Sequence, residues 1–91
     1  MSSDRPRQAA GLVECSVQNE LVLYDPRSER VVALNASARE IWALCDGCRS
    51  AADVAATIGG RLGLPPHALT FDVMQAIHEL RDVGFLEPPK P

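Results

Sequence analysis

Two cysteines, Cys45 and Cys48, flank Asp46-Gly47 in the stretch ALCDGCRS, and their spacing is the first in the chain that could do chemistry. A Cys-x-x-Cys pair can serve as half of a zinc site or as a redox dithiol. Zinc needs two further ligands, yet the two histidines, His67 and His78, lack the H-x3–5-H spacing that would supply them. A redox dithiol opens a helix after a strand, where the helix dipole lowers its pKa. Here Cys45 instead closes an apolar helical stripe, so the expected role of the pair is structural, with no metal. His78, Glu79 and Asp82 could be drawn into acid–base catalysis, but their spacing is also that of a solvated helix face. Gly59-Gly60 lies inside a helical pattern and does not follow a strand, as a phosphate loop would. Trp42 shares the stripe of Ile41 and reads as a core anchor. No convincing catalytic set and no cofactor site emerges from these residues.

The elements that must position any site follow from composition and periodicity. The 91 residues are 46% hydrophobic and 23% charged, which suits one small globular domain burying about 60–65% of its unfolded surface. A net charge of −3 disfavours a phosphate backbone as the main ligand, so no nucleic acid partner is expected. The N-terminus MSSDRPRQAAG lacks the apolar core of a signal peptide, and no later run is long enough to span a bilayer. The expected location is the cytoplasm, away from membranes, where Cys15, Cys45 and Cys48 stay reduced.

Residues 1–11 and 88–91 read as tails around a domain at 12–87. Within it, LVECSV (12–17), LVLYD (21–25) and RVVAL (30–34) read as three strands, the last two joined by a turn at Asp25-Pro26-Arg27-Ser28. The period then changes. Leu34, Ala38, Ile41, Trp42 and Cys45 form one helical stripe, with Asn35 or Ser37 as N-cap, a Ser37/Glu40 capping-box pattern and Gly47 past the end. Ser50 with Asp53 opens a second helix carrying Ala51, Val54, Ala55, Ile58 and Leu62. The third helical pattern places Leu69, Val73, Ile77 and Leu80 inward, stops at Gly84 and folds Phe85-Leu86 back. Three strands followed by three helices predict an α+β fold with the sheet covered on one face. So short a sheet leaves edges unpaired, and the outer edge of RVVAL could accept another chain, whether a peptide or a second copy in a homodimer.

The run VVALNASAREIWALCDGCRSAADVAATIGGRLG, followed by DVMQAIHELRDVGFLE, resembles the PqqD family. The motifs that carry the resemblance are Leu34-Asn35, Ile41-Trp42, Asp46-Gly47, Ser50 and Gly84-Phe85-Leu86, spread over Leu12 to Glu87. The resemblance implies a winged helix-turn-helix fold and a non-catalytic recognition element for ribosomally made, post-translationally modified peptides. Such a module takes the leader of a precursor peptide as an added strand beside the third strand and against the third helix. It then presents the peptide to a modifying enzyme, a radical S-adenosylmethionine protein in pyrroloquinoline quinone synthesis. On that basis Arg30, Val31, Val32, Ala33 and Leu34 are expected to supply main-chain bonds to the peptide. Met74, His78 and Arg81, one stripe at i, i+4 and i+7, are expected to line the groove. The rival expectation is a winged-helix DNA-binding regulator, whose third helix should carry basic and amide side chains outward. This helix offers Asp72, Gln75, Glu79, Arg81 and Asp82, and no lysine.

Overall fold

A computed structural model describes residues 4–89. The chain forms strands β1 (Val13–Val17), β2 (Glu20–Asp25) and β3 (Arg30–Leu34), then helices α1 (Ala36–Leu44), α2 (Ala51–Arg61) and α3 (Thr70–Asp82). The sheet is antiparallel in the order β1-β2-β3, so both β1 and β3 are edges. Leu21, Leu23 and Leu34 point from one sheet face into a core shared with Ile41 and Trp42 of α1, Val54 and Ile58 of α2, and Val73, Ile77 and Leu80 of α3. The opposite sheet face is uncovered and presents Val13, Val17, Tyr24 and Val31. The α+β arrangement of a three-stranded antiparallel sheet followed by three helices is the one expected from the sequence.

Local chemistry accounts for the helix boundaries. Asn35 is the cap of α1, its side-chain oxygen accepting from the Ala38 N–H at 2.9 Å, while Ser37 lies inside the helix and forms no capping box. Ser50 and Asp53 do form one at the start of α2: Ser50 Oγ accepts from the Asp53 N–H, and Asp53 Oδ2 accepts from the Ser50 N–H, both at 3.1 Å. Helix α3 ends in a Schellman motif. Gly84 takes a φ of +82°, which a side chain would oppose, and thereby lets Phe85 N–H reach the Leu80 carbonyl at 2.9 Å and Gly84 N–H reach that of Arg81 at 3.0 Å. The same pair of bonds ends α2 around Gly63. Leu62, expected inside, is exposed, because α2 has ended at Arg61 and its cap turns away from the stripe.

The N-terminal segment differs from the expected tail. Residues 1–3 lie outside the described residues, but residues 6–9 are threaded between the end of α1 and the segment after α3. Gln8 N–H donates to the Cys45 carbonyl and Ala9 N–H to that of Phe85, each at 3.1 Å, while the Gly47 and Glu87 amides donate to the carbonyls of Pro6 and Arg7. The Gln8 side-chain amide also donates to the Trp42 carbonyl at 2.8 Å. The physical reason lies at the end of α1, whose last carbonyls have no partner within the helix. Gly47 is left-handed as expected, yet its N–H goes to this N-terminal strap and not back into the helix. Periodicity within α1 cannot reveal so distant a partner. Of the expected C-terminal tail, residues 88–89 carry no regular structure and residues 90–91 lie outside the described residues. No helix among the described residues is long and apolar enough to cross a membrane.

Candidate functional site

The turns fix which backbone groups of β3 face outward. A two-residue turn, Gln18-Asn19 with Gln18 at φ +56°, joins β1 to β2, so the Glu20 N–H points to Val17 on β1. Successive residues of a strand alternate, so Leu21, Leu23 and Asp25 direct their N–H and C=O groups to β3, where they pair with Leu34, Val32 and Arg30. Val31 and Ala33 therefore present their N–H and C=O groups at the open edge, and no other described segment takes them. Their side chains lie on the uncovered face, Val31 being 60% exposed, whereas Val32 is half-buried and Leu34 buried on the core side.

The β2–β3 turn that presents this edge is stiff. Asp25, nearly buried, accepts from the Arg27 N–H at 3.0 Å, from Arg27 Nε at 3.3 Å and from Ser28 Oγ at 3.1 Å. The Arg27 amide above all, with the Ser28 hydroxyl and the guanidinium, holds the Asp25 carboxyl below its ordinary range despite its burial.

A groove of about 1570 Å³ runs along the flank of α3. Phe71, Met74, His78 and Arg81 form one wall, the start of α2 at Ser50-Ala52 another, and Ala9, Ala10 and Arg27 close the side nearest the hairpin. Met74, His78 and Arg81 thus line one groove. The structure does not bring Arg30–Leu34 into the same groove; Arg27, at the foot of β3, is the hairpin's contribution. Met74 is 55% exposed, and Phe71, one turn earlier on the same stripe, is 74% exposed. Phe71 was not singled out by sequence reasoning, although its i−3 spacing from Met74 was there to be used. His78 Nε2 lies 3.4 Å from Asp82 Oδ2 at the surface.

Arg81 differs most from expectation. Its side chain is 16% exposed, and its two terminal nitrogens meet both oxygens of Asp4 at 2.6 and 2.7 Å. Its Nε donates to the Glu87 carbonyl at 3.0 Å. Hydrogen bonding to Arg81 holds the Asp4 carboxyl below its ordinary range, and the same bonds raise the guanidinium's pKa.

The cysteines part company in the structure. Cys45 is fully buried in the core, and burial pushes its thiol up to about 11, whereas Cys48 is exposed in the turn. Cys45 therefore stays a thiol at neutral pH, which makes it a poor nucleophile or ligand. Among the described residues no three His, Cys, Asp or Glu side chains converge as a metal site would require. Cys45→Ala/Cys48→Ser is therefore expected to fold and to lose about 1 kcal/mol from the small cavity at Cys45, measured by urea unfolding. Stoichiometric zinc in the parent protein, lost from the double variant, would contradict this.

The arrangement offers an unpaired strand edge at β3 and a groove along α3. Comparison with known proteins places the fold and the family. The curated "PqqA binding protein" of Bradyrhizobium diazoefficiens is 38% identical over 58 residues, which are 64% of this chain and 56% of that protein. The chain thus matches little more than half the length of that relative. Two solved structures share the fold: TbiB1 in complex with the TbiA(β) leader peptide, and lasso peptide synthetase B1 complexed with the leader peptide. The first has a TM-score of 0.78 at 16% identity and covers 93% of this chain and 99% of that one. The second has a TM-score of 0.78 at 23% identity, covering 92% and 99%. The model of the family described as coenzyme PQQ synthesis protein D (PqqD) matches residues 20–86. With most of its length so matched, this chain belongs to the PqqD family.

Proposed function

We propose that this protein is a non-catalytic recognition element that binds the leader of a ribosomally synthesised precursor peptide and presents it to a modifying enzyme, a radical S-adenosylmethionine protein being the family's precedent. The observation that carries this reading is the outward pair of amides and carbonyls at Val31 and Ala33 on an edge that no other described segment occupies. An extended peptide laid antiparallel or parallel to β3 takes its main-chain register from these groups, together with the ends of the strand at Arg30 and Leu34. Its further length passes the hairpin turn at Arg27 into the groove, where Phe71, Met74 and His78 receive side chains. Neighbouring genes would identify the pathway, whether pyrroloquinoline quinone or another peptide product.

The test is calorimetric titration with the leader segment of the precursor peptide encoded beside the gene. Met74→Asp places a charge on the exposed apolar wall and is expected to weaken binding about tenfold or more, because an unpaired carboxylate would be desolvated against the peptide. Since Met74 is more than half exposed, the melting temperature should move by no more than about 2 °C. Unchanged affinity in Met74→Asp would remove the groove from the site, and absence of binding by the parent protein would refute the reading.

A further inference from the structure

We propose that Arg81 is the anion-reading position of the site, where a carboxylate of the bound peptide, from an Asp or Glu side chain or from its C-terminus, exchanges with Asp4. This rests on the peptide-binding reading above and adds the chemistry that selects the peptide. Arg81 lines both the large groove and a cavity of about 100 Å³ at its end, and that cavity is also lined by Arg5, Arg7, Asp4 and Glu87. The cavity is thus lined by three arginines and two acidic residues, with Arg81 bonded to Asp4 and Arg5 Nη1 donating to the Cys48 carbonyl at 2.8 Å. The Glu87 carbonyl fixes the Arg81 fork through Nε and leaves its two terminal nitrogens aimed together, the geometry that matches a carboxylate in bidentate fashion. Gly47 leaves room for Arg7 beside this cavity: a Cβ there would come within 3.2 Å of Arg7 Cδ, so the Arg7 stem lies across a residue without a side chain.

Asp4 has the character of an exchangeable stand-in. It precedes Pro6, where the backbone pairing of the strap begins, and its side chain is 33% exposed against 16% for Arg81. The strap is held independently of the Arg81 pair by the backbone bonds of Pro6 to Ala9 and by Arg5 Nη1 on the Cys48 carbonyl, so the guanidinium can change partners while the strap keeps its place. A peptide that brings its own carboxylate recovers the charge-assisted bonds that Asp4 gives up, whereas a peptide without one must leave Asp4 in the way. Asp4 thus tunes affinity by occupying the site in the free protein.

The experiment is a cycle between protein and peptide, read by fluorescence anisotropy on the full chain. The probes are the leader segment of the precursor peptide encoded beside the gene with an amidated C-terminus, the same peptide with a free C-terminus, and amidated copies in which each Asp or Glu in turn becomes Asn or Gln. Asp4→Asn is expected to tighten the carboxylate-bearing peptide about fivefold, and the gain should shrink below about twofold for one amide copy. If the C-terminus is the source, the gain appears with the free-acid peptide alone. Arg81→Gln should bind carboxylate and amide peptides alike. Arg81→Lys, which keeps the charge but not the fork, should recover part of the discrimination, provided circular dichroism shows both variants folded. A gain from Asp4→Asn that is equal for every peptide would make Asp4 a mere obstacle and overturn the proposal. So would equal binding of all peptides by parent and Asp4→Asn. If peptides bind but show no such coupling, this inference alone fails; if none binds to any protein, the peptide-binding reading fails with it.

Discussion

Val32→Pro is expected to destabilise the sheet strongly, while Val31→Pro and Ala33→Pro keep the fold and weaken peptide binding. Val32 pairs with Leu23 and directs its N–H into the β2–β3 ladder. Proline there deletes that bond and strands the Leu23 carbonyl above a buried side chain. One lost bond plus one buried unsatisfied acceptor costs about 2–4 kcal/mol, a large share of the roughly 5–14 kcal/mol that holds a domain of this length together. Val31 and Ala33 direct their amides outward, so proline at either position spares the ladder. It removes one donor to an added strand and weakens the leader peptide about tenfold. Thermal unfolding combined with calorimetry on the three variants separates the two effects. If all three stay folded and bind like the parent, strand addition at β3 is wrong and the α3 groove must act alone.

Phe85→Ala should lose about 3–5 kcal/mol in urea unfolding, the cost of emptying a fully buried aromatic site. The reason for choosing this residue is its double attachment. Its ring packs in the core, its amide completes the end of α3 on the Leu80 carbonyl, and its own carbonyl receives the Ala9 N–H of the strap. Loosening Phe85 therefore loosens the strap as well. Amide hydrogen exchange at Gln8 and Ala9 should quicken more than exchange in the centre of β2. A loss below about 1 kcal/mol would mean that the core closes over the vacancy, and equal protection in the two segments would mean that strap and core open together.

Much of the fold was legible because the forces involved are local. The step from period 2 to period 3.6 after Leu34 separates sheet from helices, and the Ser50/Asp53 pair and Gly84 mark helix ends through bonds spanning a few residues. The inward stripes Ile41/Trp42, Val54/Ile58 and Val73/Ile77/Leu80 follow from those periods, since only one face of each helix can be buried at once. The same spacing placed Met74, His78 and Arg81 along one flank. The motifs from Leu34-Asn35 to Gly84-Phe85-Leu86 identified the family by their order.

What the tertiary structure alone decided concerns groups whose partners are distant in the chain. Strand alternation says that Val31 and Ala33 face one way and Val32 the other, but only the pairing of β3 with β2, in register with the Gln18-Asn19 turn, says which way is open. The strap is a second case. Asp4 to Ala9 has no apolar period: Pro6 alone is fully buried, and the segment is otherwise held by backbone bonds to residues 45–47 and 85–87, by the Arg5 and Gln8 side chains on the Cys48 and Trp42 carbonyls and by the Asp4–Arg81 pair, none of which a helix or strand pattern records. For the same reason Arg81 read as an available groove residue, when a carboxylate 77 positions earlier in the chain already holds it. Hydrophobic burial follows a period within each element and is written into the sequence locally. Hydrogen bonds between segments have no period, and for this protein they set the open edge, the docked N-terminus and the charge at the end of the groove.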